Sequence, residues 1–273
     1  MKFSEKYVAF VDVLGFKNMI QEAESGTGRT LLDLHEMLND LGATGGRKSS
    51  RLCPSSSYIA EDMDFRVAKI SDCVIVSAES SASGIINLLE YCWGVAIALL
   101  DKGVMIRGYI THGSIYHESY EIYGSAYQKA VEFEKNVKAF QRTIDDGGTP
   151  FIEIDQAVCD RIRGYGDRCV NEMFKRYVFC GDDFVAIFPF NRLRQDIIIN
   201  PMIGFDEAAE KRKIGLMRAY INDLISGIGR FVDTENPRAV RKMEHYKIAL
   251  RAQLDKCDGD LATIDTWMGR KRD

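Results

Sequence analysis

Tyr7-Val-Ala-Phe-Val-Asp-Val-Leu-Gly-Phe16 begins as a nearly unbroken run of β-formers that carries an aspartate, Asp12, followed three residues later by Gly15. A run that is apolar at odd and even positions alike fits a central strand covered on both faces, which leaves Asp12 at the rim of a sheet. After Phe16 the apolar spacing turns helical and continues to about Leu41. Further out, Phe65-Arg-Val-Ala-Lys-Ile70 and Cys73-Val-Ile-Val-Ser77 are strand-like and separated only by Ser71-Asp72, the spacing of a tight hairpin with an aspartate at its tip. A helix is expected from Ser83 to Lys102, a strand from Val104 to Ile115, a tyrosine-rich turn from Tyr116 to Tyr123, and a helix from Ser125 to Gln141. The order β-α-β-β-α-β is the ferredoxin-like arrangement, an α+β fold on a central, mostly antiparallel sheet.

Asp145-Asp-Gly-Gly-Thr-Pro150 reads as a break. Strands at Phe151 to Ile154, Tyr177 to Cys180 and Phe184 to Phe188, with a helix from near Asp155, extend the same sheet. Helical periodicity then occupies Phe205 to Phe231 and Pro237 to Leu254. The chain is therefore expected to form a main domain over residues 1–190, with a helical C-terminal extension over 191–273 packed on it. The Gly/Ser/Arg-rich stretch from Gly42 to Ser57 reads as a surface loop.

With 273 residues, 46% hydrophobic and 28% charged, the chain has material for a sizeable core. A net charge of −4 argues against a general nucleic-acid binder. Seven cysteines (53, 73, 92, 159, 169, 180 and 257) show no CxxC pairing, which predicts reduced thiols and a cytoplasmic setting. No secretory leader is legible, and the longest apolar run, Val95 to Leu100, is too short to insert in a membrane directly.

In a ferredoxin-like sheet the end of the first strand and the tip of the following hairpin lie side by side, so Asp12 and Asp72 would meet. Two carboxylates suit hard divalent ions, and phosphoryl transfer needs such ions more than it needs covalent help from protein. Val13, Leu14, Gly15 and Phe16 open a helix whose first N–H groups can bind phosphate. Taken singly, Asp12 is equally well a helix cap and Asp72 a turn residue; the pair in this topology points to metal binding.

Phe10-Val-Asp-Val-Leu-Gly-Phe16 resembles the metal-binding strand of class III nucleotidyl cyclases, Lys69-Ile-Ser-Asp-Cys73 their second metal hairpin, and Ile106-Arg-Gly-Tyr-Ile-Thr-His-Gly113 their following strand. Ile122-Tyr-Gly-Ser-Ala-Tyr-Gln-Lys-Ala-Val-Glu-Phe-Glu134 looks most like the pyrimidine cyclases of Pycsar antiphage defence systems. The resemblance implies two Mn²⁺ or Mg²⁺ ions on Asp12, Asp72 and the Val13 carbonyl, with Arg107 on phosphate oxygens. It implies a nucleoside triphosphate substrate, UTP ahead of CTP, and a cyclic product that acts on a separate effector protein. It also implies a homodimer with composite sites, in which Gln128 stabilises the transition state and Lys69 and Glu121 contact the nucleotide.

The chain departs from adenylyl cyclases in three places, and in one of them Gln128, still a hydrogen-bond donor, stands where they have a transition-state asparagine. Ala68 occupies the position of their base-reading lysine, and Glu132 that of their transition-state arginine, leaving Lys129 or Lys135 to supply a cation. Gly181-Asp-Asp183 is best read as a polar turn, and His112 and His117 as packed or surface imidazoles. Tyr116, Tyr120, Tyr123 and Tyr127 suit aromatic packing, a stacking surface or a dimer seam. The rival to an enzyme is a cyclase-like module that binds nucleotide without turnover.

Overall fold

The structure, a computed structural model, describes residues 1–42, 63–119, 121–142, 147–190, 205–229 and 232–272. In chain order the elements are β1 (Ser4–Val13), α1 (Phe16–Ser25), α2 (Leu31–Gly42), β2 (Phe65–Ile70), β3 (Cys73–Glu79), α3 (Ala82–Asp101), β4 (Ile106–Glu118), β5 (Glu121–Tyr123), α4 (Ser125–Glu134), β6 (Ile152–Ile154), α5 (Gln156–Gly164), α6 (Arg168–Tyr177), β7 (Val178–Cys180), β8 (Val185–Ile187), α7 (Glu207–Gly229) and α8 (Pro237–Arg272). The sheet runs β2-β3-β1-β4-β6-β8-β7, with β5 paired to the far end of β4. Its first four strands are antiparallel in the ferredoxin-like order, and β6 joins parallel to β4. The fold is α+β on a mostly antiparallel sheet, as the periodicity predicts.

The two faces of β1 are covered differently. Tyr7, Ala9, Val11 and Val13 point into the main core with α2 and α3, whereas Val8 and Phe10 meet Ala126, Ala130 and Tyr127 of α4. α3 is apolar all round, as a helix buried between layers must be. Among the described residues it is the one helix with the length and composition to cross a bilayer, and 78% of its apolar window is buried inside the protein.

Three local expectations need correction. The helix from Phe16 to Leu41 is two helices, because Gly26 takes a left-handed φ of 70° and its N–H closes α1 on the Glu22 carbonyl. α2 then restarts behind a reciprocal cap: Asp33 accepts from the Thr30 N–H and hydroxyl while Thr30 Oγ1 accepts from the Asp33 N–H. The turn after Ile115 is a hairpin, with β4 continuing to Glu118 and β5 paired back on it. α4 ends at Glu134 rather than Gln141, since Val137 and Ala139 turn into a second core.

That second core unites the end of the sheet with α7 and α8. Phe151 stacks on Tyr246 at 5.1 Å between ring centroids, and Phe190 meets Tyr246 edge-on at 5.4 Å. α8 continues well past Leu254, with Cys257 and Ile264 buried on the same side. Cys73, Cys92, Cys159, Cys180 and Cys257 are free thiols, but Cys169 on α6 is disulfide-bonded, against the expectation of reduced thiols throughout. Cysteine spacing alone does not reveal which thiols are oxidised. The loop read over Gly42–Ser57 lies, beyond Gly42 itself, outside the described residues.

Candidate active site

Asp12 lies opposite Arg107 of β4 on one side and Cys73 of β3 on the other. Residues directly opposed in antiparallel strands project to the same face, so these three side chains share the face on which α4 packs. Asp72 is at the adjoining hairpin tip, where Ser71 adopts the positive φ of 55° that a two-residue turn requires. The Val13 N–H donates to the Asp72 carbonyl at 3.0 Å, which pins this tip to the end of β1. The two aspartates thus come from distant sequence to one corner.

The corner is electrostatically tense. Burial, then the neighbouring charges of Glu134 and Asp72, push the Asp12 carboxyl up to about 6, with Arg107 and Lys242 offsetting part of the effect. Burial and the same three carboxylates push the Cys73 thiol up to about 11. A divalent cation at this corner would relieve the repulsion, and the hard oxygen donors of Asp12 and Asp72 suit Mg²⁺ or Mn²⁺. Among the described residues no group of three or more His, Cys, Asp and Glu could hold a metal ion. A carboxylate pair that leaves the remaining positions to water and phosphate oxygens is the ordinary arrangement for Mg²⁺.

Arg107 is engaged by Glu134, the last residue of α4, and its Nη1 donates weakly to the Gly148 carbonyl at 3.5 Å. This carboxylate was not anticipated, because helical periodicity does not say which polar residue of a helix will be turned inward. Beside the pair opens a cavity of about 360 Å³ walled by Arg107, Lys135, Arg238, Arg241 and Lys242. The three residues from α8 were also missed; their signal was Arg238-x-x-Arg241-Lys242 in the first turns after Pro237.

At the start of α1, Gly15 takes a φ of 81°, and no side chain caps the helix. A Cβ at Gly15 would meet only Met19 Cε at 3.9 Å, so backbone conformation rather than space selects glycine here. Leu14 packs on the C-terminal core and Phe16 on the main one, and the Leu14 N–H is taken by the Met105 carbonyl at 3.0 Å. What this segment offers a ligand is the first-turn N–H groups of α1.

The other candidates lie away from this corner. Lys69 opposes Val74, projects to the other face of the sheet and packs near Gly42, while Ala68, 1% exposed, faces the Asp12 side. Glu121 pairs with Glu118, and from Arg107 to Glu118 β4 runs ~36 Å. Gln128 and Glu132 are exposed on α4. Glu121 therefore lies at the far end of β4 from Asp12, and Gln128 faces solvent from α4. Lys129 is ion-paired with Asp155, which also accepts from Thr111 Oγ1 at 2.7 Å, leaving Lys135 as the α4-side lysine at the cavity.

His117 is buried against Ser77 at 2.9 Å and pushed down to about 4 by that burial; His112 contacts Ser80 at 2.7 Å. Tyr116 and Tyr123 stack at 5.0 Å, while Tyr120 lies outside the described residues. Gly181-Asp-Asp183 forms the exposed turn between β7 and β8. No family model matches the chain, and no curated protein matches it.

Proposed function

We propose that the protein is a nucleotidyl cyclase converting a pyrimidine nucleoside triphosphate, UTP ahead of CTP, to its 3′,5′-cyclic monophosphate and pyrophosphate. The observation that carries this reading is the joining of Asp12 and Asp72 at one corner of a ferredoxin-like sheet, beside an uncapped helix start. On this reading Asp12, Asp72 and the Val13 carbonyl hold two Mg²⁺ or Mn²⁺ ions, which when bound neutralise phosphate charge and acidify the ribose 3′-hydroxyl. The first-turn N–H groups of α1 orient the phosphates, and Arg107, held in place by Glu134, faces them.

The 3′-oxygen forms a bond to the α-phosphorus as the bond to the β-phosphate oxygen breaks. The hydroxyl proton leaves to solvent and pyrophosphate departs. A composite site in a homodimer would take Glu121 and Gln128 from the second copy, since the ~36 Å length of β4 holds Glu121 away from Asp12 and Gln128 faces outward from α4. The cyclic product would act on a separate effector protein in antiphage defence, in the cytoplasm.

The test is incubation of the purified protein with ATP, GTP, CTP and UTP in Mn²⁺ or Mg²⁺, with mass spectrometry of the products. A cyclic pyrimidine monophosphate that vanishes in Asp12→Ala supports the reading; a cyclic purine keeps the chemistry and rejects the base assignment. A second reading, a nucleotide-binding module without turnover, is favoured by the exposed Glu132 and by the commitment of Lys129 to Asp155. Tight nucleotide binding with no cyclic product from any triphosphate would establish it.

A further inference from the structure

We infer that the basic cavity beside Asp12 seats the β- and γ-phosphates of the substrate, and that the C-terminal helix α8 supplies most of its charge. The inference rests on a nucleoside triphosphate being the ligand of the Asp12 corner. Arg107, Lys135, Arg238, Arg241 and Lys242 converge on one cavity of about 360 Å³. Glu134 answers Arg107. Among the described residues no carboxylate lies within ion-pair distance of the other four. Like charges gathered in one place repel one another, and a polyanion is the ligand that turns this repulsion into affinity.

The backbone supports the same use. Gly148 has a φ of 72°, and a Cβ there would stand 2.8 Å from Arg107 Nη1 and 3.0 Å from the Lys135 carbonyl, so glycine lets this segment close against the cations. Met243 and Tyr246, both buried in the second core, fix the first turns of α8 and hold Lys242 at the wall. Arg107, one wall of the cavity, stands directly across from Asp12 on β4, which places the cavity next to the metal corner. A volume of about 360 Å³ suits two phosphates rather than the backbone of a nucleic acid, in keeping with a net charge of −4.

The probe is sodium tripolyphosphate, titrated calorimetrically into the full-length protein in magnesium buffer, without any need for turnover. Arg238 and Arg241 are exposed, so Arg238→Gln and Arg241→Gln remove charge without opening the core. The expected result is that the double variant binds tripolyphosphate about tenfold or more weakly, and that UTP displaces tripolyphosphate from the wild-type protein. Unchanged affinity in the double variant would overturn the assignment to α8. Simultaneous binding of UTP and tripolyphosphate, or orthophosphate binding as tightly as tripolyphosphate, would mark a separate phosphate site and overturn the subsite. Absence of a cyclic product would instead reject the cyclase reading while leaving these binding outcomes intact.

Discussion

Glu134 meets Arg107 at the end of α4, on the strand position directly across from Asp12, and both side chains are shielded, at 3% and 15% exposure. An ion pair withdrawn this far from water leaves a costly charge behind when one partner is removed. Glu134→Gln should therefore destabilise the protein by about 3 kcal/mol, read as a lower urea midpoint. A midpoint equal to wild type would mean that the pair contributes nothing net.

Asp12 sets a second expectation, about pH. Its folded-state value of about 6 lies above the ordinary 3.8, so protonated Asp12 favours the fold. That contribution is complete below about pH 4 and is lost as pH rises through 6. In metal-free protein at pH 7.5, Asp12→Asn should raise stability by about 1–2 kcal/mol, allowing for solvent screening, while abolishing turnover. Mn²⁺ should then raise the wild-type midpoint and not that of the variant. A variant stabilised by Mn²⁺ as much as wild type would remove Asp12 from the metal corner.

Gly15 and Gly26 form an internal control. Both take left-handed φ values, 81° and 70°, and neither would bring a Cβ closer than 3.9 Å to a neighbour. Replacing either with alanine should cost about 1 kcal/mol of stability through backbone strain alone. Only Gly15→Ala should also weaken nucleoside triphosphate binding, measured by titration, because only Gly15 stands at the proposed phosphate contact. Equal nucleotide affinity in the two variants would count against the α1 N–H groups as ligands.

A composite site in a two-fold dimer makes complementary variants rescue one another. Asp72→Ala and Gln128→Ala should each be inactive, and their mixture, after subunit exchange, should recover about a quarter of wild-type turnover from heterodimers with one intact site. A mixture as inactive as its components would overturn the composite site.

The parts of this architecture that announce themselves in sequence are those with one dominant period. β1, the β2–β3 hairpin, α3 and the start of α7 are legible because their apolar spacing has a single reading. The break between α1 and α2 was also written in the chain, as Gly26, Gly28 and Thr30-x-x-Asp33, but continuous periodicity on either side masks it. β5 is too short to carry a period. For the site, Asp12 and Asp72 can be paired from topology alone, since strand order fixes which ends are neighbours. Glu134, Arg238, Arg241 and Lys242 could not be, because their approach depends on how α4 and α8 are rotated against the sheet, which only packing decides. Lys69 illustrates the reverse: one step of strand alternation carries it to the opposite face.

The 36 residues of α8 correspond to a rod ~54 Å long, with its first turns against the cavity next to Asp12. Its far half is tied to α7 by the Lys211–Asp265 ion pair and sunk into the core at Cys257 and Ile264. The rotation that turns Arg238, Arg241 and Lys242 to the cavity is therefore set along the whole helix, by apolar packing several turns away from the charges it aims.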